Sequence, residues 1–323
     1  MDVINLLSEQ FNLKTWQVEN IVKLIDEGNT IPFIARYRKE AHGSLDDQTL
    51  REVSERLAYL RGLDEKRQEV KALITGLDKM TDEIEAALDA ASTLSEIEDI
   101  YRPYRPKRKT RASVAREKGL EPLSEFIFAQ EKDCQDPYEF AVQFINPEKG
   151  VESVEEAIKG AMDIIAENIS DDASIRKRLK VVAMAQALLC SKGAKDEESV
   201  YSQYYDFKEP VSKIAGHRVL AIDRGEKEGF LKVSIDFDID KALNIVCSTT
   251  VKEGSPCTEL VRLAAEDAYN RLIFPSIERE IRNVLTENAD DKAIKVFALN
   301  LKHLLMQPPV KGKIVMGLDP GYR

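Results

Sequence analysis

The sequence predicts a mainly α-helical chain with one long central helix and a small antiparallel β element near residues 217–248. Three observations predict it. Apolar residues recur at helical spacing through most of the 323 residues. Twelve Pro and fifteen Gly are few for that length, which favours long helices. Short β-rich runs, HRVLAID and FLKVSIDFD, cluster in one stretch after residue 216.

Taken in order, a short helix at 5–11 precedes one at 15–27, where Trp16, Ile21, Leu24 and Ile25 share a stripe and Gly28-Asn29 closes the turn. Pro32, in TIPFIARYRKEAHGSLDD, suits a first helical turn. Asp46 and Asp47 then open the long helix through Leu57, Leu60, Leu63 and Ile74, closed by Gly76. Shorter helices follow at 81–90 and 95–101. After an intervening basic segment, Thr110 caps a helix reaching Lys118, Gly119 ends it, and Pro122 starts the next. Further helices are expected at 140–145, 153–169 and 175–192.

From His217 the pattern changes. HRVLAID and FLKVSIDFD read as strands of a hairpin turned by RGEKEG, where Glu226 and Glu228 alternate with Arg224 and Lys227 in local ion pairs worth little. A third strand is expected near 242–248. Residues 258–285 read as a helix kinked at Pro275, and 289–305 as another. Pro308-Pro309 reads as a linker. In KIVMGLDPGYR, the residues Ile314, Val315, Met316 and Leu318 suit a strand buried on both faces, which needs neighbours for its backbone hydrogen bonds.

Composition excludes several chemistries. The four Cys, at 134, 190, 247 and 257, form no C-x-x-C, and the three His, at 42, 217 and 303, form no H-E-x-x-H. Reduced thiols in a cytoplasmic protein are the expectation. There is no phosphate-binding G-x-x-x-x-G-K-[ST], no G-x-G-x-x-G and no G-x-S-x-G. No catalytic residue, metal or cofactor is therefore expected. MDVINLLSEQ has no basic region ahead of an apolar run, so no signal peptide is expected, and the apolar run 181–190 is too short to span a bilayer.

The charge is unevenly distributed. Residues 101–119, YRPYRPKRKTRASVAREKG, carry eight Lys or Arg against one acid, Glu117, a balance of +7 on a chain of net charge −10. Any nucleic-acid contact is local, since the overall pI is 5.1. The candidate phosphate contacts are Arg102, Arg105, Lys107, Arg108, Lys109, Arg111, Arg116 and Lys118. The alternative is a basic loop that neutralises an acidic neighbour in the same molecule. Proline restricts YRPYRP, which predicts extended, stiff backbone at Arg102 and Arg105. Tyr101 and Tyr104 either stack on bases or anchor the segment on neighbouring helices. Asp319, in G-L-D-P-G, is placed as a metal ligand of a phosphoryl-transfer site would be, or is a turn aspartate.

Four stretches together, TIPFIARYRKEAHGSLDD, DIYRPYRPKRKTRASVAREKGLEPL, HRVLAIDRGEKEGFLKVSI and VKGKIVMGLDPGYR, resemble the Tex family of bacterial transcription accessory proteins, and the resemblance covers the whole chain. It implies an N-terminal helical region with helix-turn-helix character, followed in the family by an RNase H-like domain of the YqgF type, helix-hairpin-helix modules and an OB-fold RNA-binding domain. On that basis the chain is expected to be the N-terminal portion. Its expected parts are a helical domain at 1–100, a basic linker at 101–119, a helical region at 120–215, the small β element with long helices at 216–309, and the first strand of the RNase H-like domain at 310–323. The implied partners are RNA and/or DNA, with RNA polymerase or the ribosome as further candidates and no membrane. The expected function is a non-catalytic scaffold that contacts phosphates through the basic segment. The alternatives are a protein-interaction scaffold and a portion of an RNase H-like nuclease whose first-strand aspartate is Asp319.

Overall fold

A computed structural model describes residues 2–105, 109–195, 197–308 and 311–318. The fold is mainly α-helical with a small three-stranded antiparallel sheet. The chain divides into two compact units: 1–110 with 171–173, and 111–170 with 174–323.

The first unit contains α1 (Val3–Phe11), α2 (Thr15–Asp26), α3 (Ile31–Tyr37), α4 (Lys39–His42), α5 (Asp47–Gly76), α6 (Asp82–Ala90) and α7 (Leu94–Tyr101). Local capping chemistry sets most of these bounds. Side-chain oxygens of Asp46, Thr81 and Thr93 accept from Thr49, Ile84 and Glu96 N–H, satisfying donors that each helix start leaves open. The stripe of α5 serves two cores. Leu50, Val53, Leu57 and Leu60 pack with Leu7, Ile21 and Ile34. Leu63, Val70 and Ile74 pack with Leu88, Ile97 and Tyr101.

Arg67 interrupts the apolar stripe of α5 and is only 4% exposed. It is tolerated because its donors are used: Nε and Nη2 donate to Leu88 O and Ala91 O, each at 2.9 Å, and Nη1 to Asp64 Oδ1 at 2.9 Å. Those carbonyls lie at the C-terminal end of α6, where backbone acceptors are orphaned and a cation is favoured.

The second unit contains α8 (Arg111–Glu117), α9 (Glu121–Ala129), α10 (Pro137–Ala141), α11 (Val154–Asp171), α12 (Ala173–Gln186), β1 (Leu188–Gly193), β2 (Asp206–Pro210), α13 (Gly216–Lys227), β3 (Leu231–Asp236), α14 (Ile239–Thr250), α15 (Thr258–Asp267) and α16 (Phe274–Leu305). Ala161, Ile164 and Ile165 of α11 share one core with Leu120 and Leu123 near α9 and with Val261, Ala264 and Ala265 of α15.

The β element is where the sequence expectation is corrected. Only β3 falls in the expected stretch. β1 lies at the centre of the sheet, antiparallel to both neighbours, with Cys190 opposite Lys208 and Ser234. Residues 217–223 are helical because Val219, Ile222 and Gly225 bury one face at three-residue spacing. A Cβ at Gly225 would lie 2.6 Å from Leu231 Cδ1, so this glycine serves close packing of α13 on β3 and not a hairpin. Gly229, at φ +78°, reverses the chain into β3. Residues 242–248 lie in α14, which Asp238 caps by accepting from Lys241 N–H. The residues expected to end a helix at 192 form β1 instead; α12 stops at Gln186.

Four further expectations change. Pro275 sits just after a π-helical turn, Ala268–Ile273, which joins α15 to α16 and gives the ring room in a continuous helical run. The expected break between 285 and 289 is absent, and Ala289 is buried inside α16. Arg102 is helical (φ −49°, ψ −45°), because α7 runs on into a 3-10 turn, Arg102–Tyr104; Arg105 is extended as expected. Residues 313–318 belong to no strand, and Ile314, Val315, Met316 and Leu318 are exposed, in keeping with the need of such a run for a pairing neighbour. Pro309 lies outside the described residues.

Replacing Arg67 by Met keeps the stem and removes all three hydrogen bonds. Urea unfolding followed by circular dichroism is expected to register a loss of about 2–4 kcal/mol. A change near zero would contradict the role of Arg67 as the tie between α5 and the end of α6.

Candidate nucleic-acid interface

The basic segment crosses from one compact unit to the other, so its two parts are described separately. In the first unit it begins on a fixed base. Tyr101 is 8% exposed, inside the cluster of Leu63, Val70 and Ile74, and Tyr104 packs against the same cluster. Tyr101 therefore anchors the path and presents no face for stacking. The N–H of Arg105 donates to Tyr101 O at 3.1 Å, pinning the backbone where it turns extended.

The cations on this base differ. Arg102 Nε lies 4.0 Å from Asp99 Oδ1, one helical turn back. Arg105 is 69% exposed, with Nη1 3.9 Å from Glu98 Oε2, a separation at which a solvated pair contributes little. Lys109 is exposed. Lys107 and Arg108 lie outside the described residues.

In the second unit, Arg111 opens α8 and is exposed. Arg116 is held: Nη1 donates to Glu167 Oε2 at 2.7 Å, Nη2 to Asn168 Oδ1 at 3.0 Å, and Nε lies 3.5 Å from Glu121 Oε1. Glu167 is buried, so this pair fastens α8 to α11. Lys118 Nζ donates to Gly150 O at 2.6 Å. The six candidate cations among the described residues thus divide into those with heads in solvent and those with heads seated on protein.

Nearby, Asp163 of α11 lies 3.1 Å from Arg271 Nη2, which also grips Asp267. Burial pushes the Asp163 carboxyl above the usual range, while the charges of Arg271, Arg111 and Lys159 pull the other way. Arg111 therefore contributes to the field at an acidic neighbour while its side chain stays exposed.

Sequence reasoning missed a second charged cluster. Glu226 is not in a turn but on α13, where its carboxylate accepts from Arg282 Nη1 and Nη2 at 3.0 and 2.6 Å. Asp223 accepts from Arg282 Nη2 at 3.0 Å and from Thr286 Oγ1 at 2.7 Å. These groups line an open groove of about 600 Å³ between α13, β3 and α16. Glu278, in the same groove, accepts from Ile235 N–H at 2.8 Å and so caps the outer edge of β3. The Asp–Glu–Arg set locks α13 to α16. The only available signal was the three-residue spacing of Asp223 and Glu226, visible once the segment is read as helix.

The titratable groups that sequence reasoning set aside have structural settings. His42 Nδ1 accepts from Leu45 N–H at 3.1 Å, which makes Nε2 the protonated nitrogen, donating to Ile34 O at 3.2 Å. All four cysteines are free; Cys134 and Cys257 place their sulfurs 3.9 Å apart, and burial pushes the Cys257 thiol up to about 12. Among the described residues, no group of three or more His, Cys, Asp or Glu is arranged to hold a metal ion. Asp319 lies outside the described residues. No described helix is long and apolar enough to cross a membrane.

Comparison with known proteins gives a consistent result. Residues 1–75 match the family model of the Tex-like protein N-terminal domain, and residues 132–297 that of the Tex central region. The chain is 44% identical over 322 residues to the uncharacterized protein YdcI of Bacillus subtilis, covering 98% of this chain and 45% of that protein. It is 36% identical over 339 residues to the transcriptional accessory protein Tex of Neisseria gonorrhoeae, covering 100% of this chain and 43% of that one. It is 30% identical over 341 residues to the S1 RNA-binding domain-containing protein 1 of Homo sapiens, covering 100% of this chain and 34% of that one. The chain therefore spans less than half the length of these relatives. With the central-region model matching more than half of its residues and its helical plan as the resemblance implied, the chain belongs to the Tex family.

Proposed function

We propose that this chain is a non-catalytic, nucleic-acid-contacting portion of a Tex-like transcription accessory protein. RNA or DNA phosphates are met by the exposed cations of the basic segment: Arg105, Lys109 and Arg111, together with Lys107 and Arg108 from the same run. The observation that carries this reading is a +7 cluster on a chain of −10 that starts from a pinned backbone and keeps several heads in solvent. Cations along a path displace counterions condensed on a polyanion, and a fixed base limits the entropy lost on contact. The names of two relatives, a transcriptional accessory protein and an S1 RNA-binding domain-containing protein, support the same direction. Arg116 and Lys118 are assigned to holding α8 in place. A cytoplasmic location and the helix-turn-helix character of the first unit belong to this proposal as well.

The internal-docking alternative is favoured locally by one observation, the seating of Arg116 on Glu167 and of Lys118 on Gly150. RNA polymerase or the ribosome would then be met through protein contacts. The two readings differ in salt dependence.

Changing Arg105, Lys107, Arg108 and Lys109 together to Glu is expected to weaken binding of labelled RNA and DNA similarly across sequences. The salt slope of log K should flatten by roughly 0.7–0.9 per lost phosphate contact. Affinity and slope equal to those of the unaltered chain would favour docking within the protein. Arg116→Ala gives the complementary result. It should cost about 1–3 kcal/mol in urea unfolding, because the buried Glu167 loses its hydrogen bond from Arg116, and leave the salt slope unchanged. A slope that falls with little loss of stability would place Arg116 among the phosphate contacts.

A further inference from the structure

We propose that the solvent face of α3 is a second nucleic-acid contact, one that takes an unpaired strand by stacking bases on its aromatic rings. This rests on reading the chain as a nucleic-acid binder, but uses residues about 70 positions from the basic segment in sequence.

α3, IPFIARY, has two faces. Ile34 is fully buried in the core with Leu50 and Val53, with Ile31 and Ala35 packed beside it. Phe33, Arg36 and Tyr37, at i, i+3 and i+4, share the opposite face. Phe33 is 36% exposed and Tyr37 is 65% exposed. Their ring centroids are 5.3 Å apart, tilted by 44°. The Arg38 guanidinium carbon lies 5.6 Å from the Phe33 centroid. Arg36, Arg38 and Lys39 are exposed, and among the described residues none of the three holds a carboxylate.

Two neighbouring aromatic rings kept in water forgo burial that a core position would have given them. Arg36, Arg38 and Lys39 against one neighbouring acid, Glu40, leave a local charge of +2 over 36–40 and a net positive field. A single-stranded nucleic acid answers both features at once. A base offers a π-face to Tyr37 or Phe33 while the adjoining phosphates meet Arg36, Arg38 and Lys39. A guanidinium already lying over a ring can also stack on a base. The charge complementarity singles out a polyanion as occupant, and stacking on splayed bases singles out single strands over duplex. Stacking is sequence-tolerant because every base has a π-face.

The test uses fluorescence anisotropy of this chain with a labelled mixed-sequence RNA 15-mer, the DNA of the same sequence, and the corresponding duplexes. Tyr37→Ala and Phe33→Ala should each weaken single-strand binding by about fivefold or more. The salt slope and duplex binding should stay as in the unaltered chain. Tyr37→Phe should restore the loss, and because Tyr37 faces solvent its two variants should unfold at the same urea concentration as the unaltered chain, whereas Phe33→Ala, at a partly covered ring, is read only under urea-free, folded conditions. Arg36→Gln with Arg38→Gln should lower affinity and also the salt slope. Single-strand binding by both alanine variants equal to the unaltered chain would overturn the α3 site. If the Glu-substituted basic segment still loses affinity in that event, the broader reading stands alone. Equal losses for single strands and duplexes would also overturn it, since duplex bases cannot stack on the rings.

Discussion

Burial of one apolar stripe along α5 is the constraint on which the first unit depends. A 30-residue helix cannot hold its own against water by propensity alone; its stability comes from the face it covers. That face is divided. Leu50 to Leu60 serve the core that seats α3, and Leu63 to Ile74 serve the core that seats α6 and α7. Ile34 is the residue by which α3 enters the first core, and Tyr101 the residue by which the basic segment enters the second. Both candidate contact surfaces of this unit are therefore set by the same helix: the rings of Phe33 and Tyr37 at one end and the start of the cationic path at the other. Arg67 is the one polar group in the stripe, and its position at the end of α6 lets a charge sit there with Nε, Nη1 and Nη2 each donating a hydrogen bond.

In the second unit the organising interactions are charged as well as apolar. Arg116 joins α8 to α11, and Arg271 joins α11 to the π-helical turn. Arg282 joins α16 to α13. Each guanidinium bridges two elements through carboxylates that are at least partly shielded from water, where one missing partner is expensive. A net-acidic chain supplies such carboxylates freely, and this distinguishes a cation used as a brace from one left for an outside polyanion. The basic segment contains both kinds. Composition alone gives all eight the same standing; seating against Glu167 and Gly150 separates them.

Much of the first unit was legible because its signals are local. Asp46, Thr81 and Thr93 mark helix starts from one residue, and the stripe of α5 has a regular period. The β element was legible only as to its presence. LLCSKG has little of the β-branched content of a strand, and pairs with residues brought in from 206–210 and 231–236, so its conformation is decided by tertiary contacts. HRVLAIDRGEK contains apolar residues compatible with either period, and packing of Val219 and Ile222 selects helix. For the candidate sites, the charge of 101–119 was plain in the sequence, but the partners of Arg116 and Lys118 lie 51 and 32 residues away. The aromatic face of α3 was hidden for the opposite reason. Phe33 and Tyr37 look like core residues in a sequence, and only burial of the opposite face through Ile34 leaves them in water.

The central claim is that cations with heads in solvent meet the polyanion, while those seated on protein hold the fold. Acetylation footprinting of lysines with and without a single-stranded RNA 15-mer, read by mass spectrometry, tests it directly. The account predicts that RNA slows acetylation of Lys109 and Lys39, while Lys118, seated on Gly150 O, reacts slowly and at the same rate in both samples. Protection of Lys118 by RNA equal to that of Lys109, or no protection of any of the three under conditions where the RNA is bound, would contradict it.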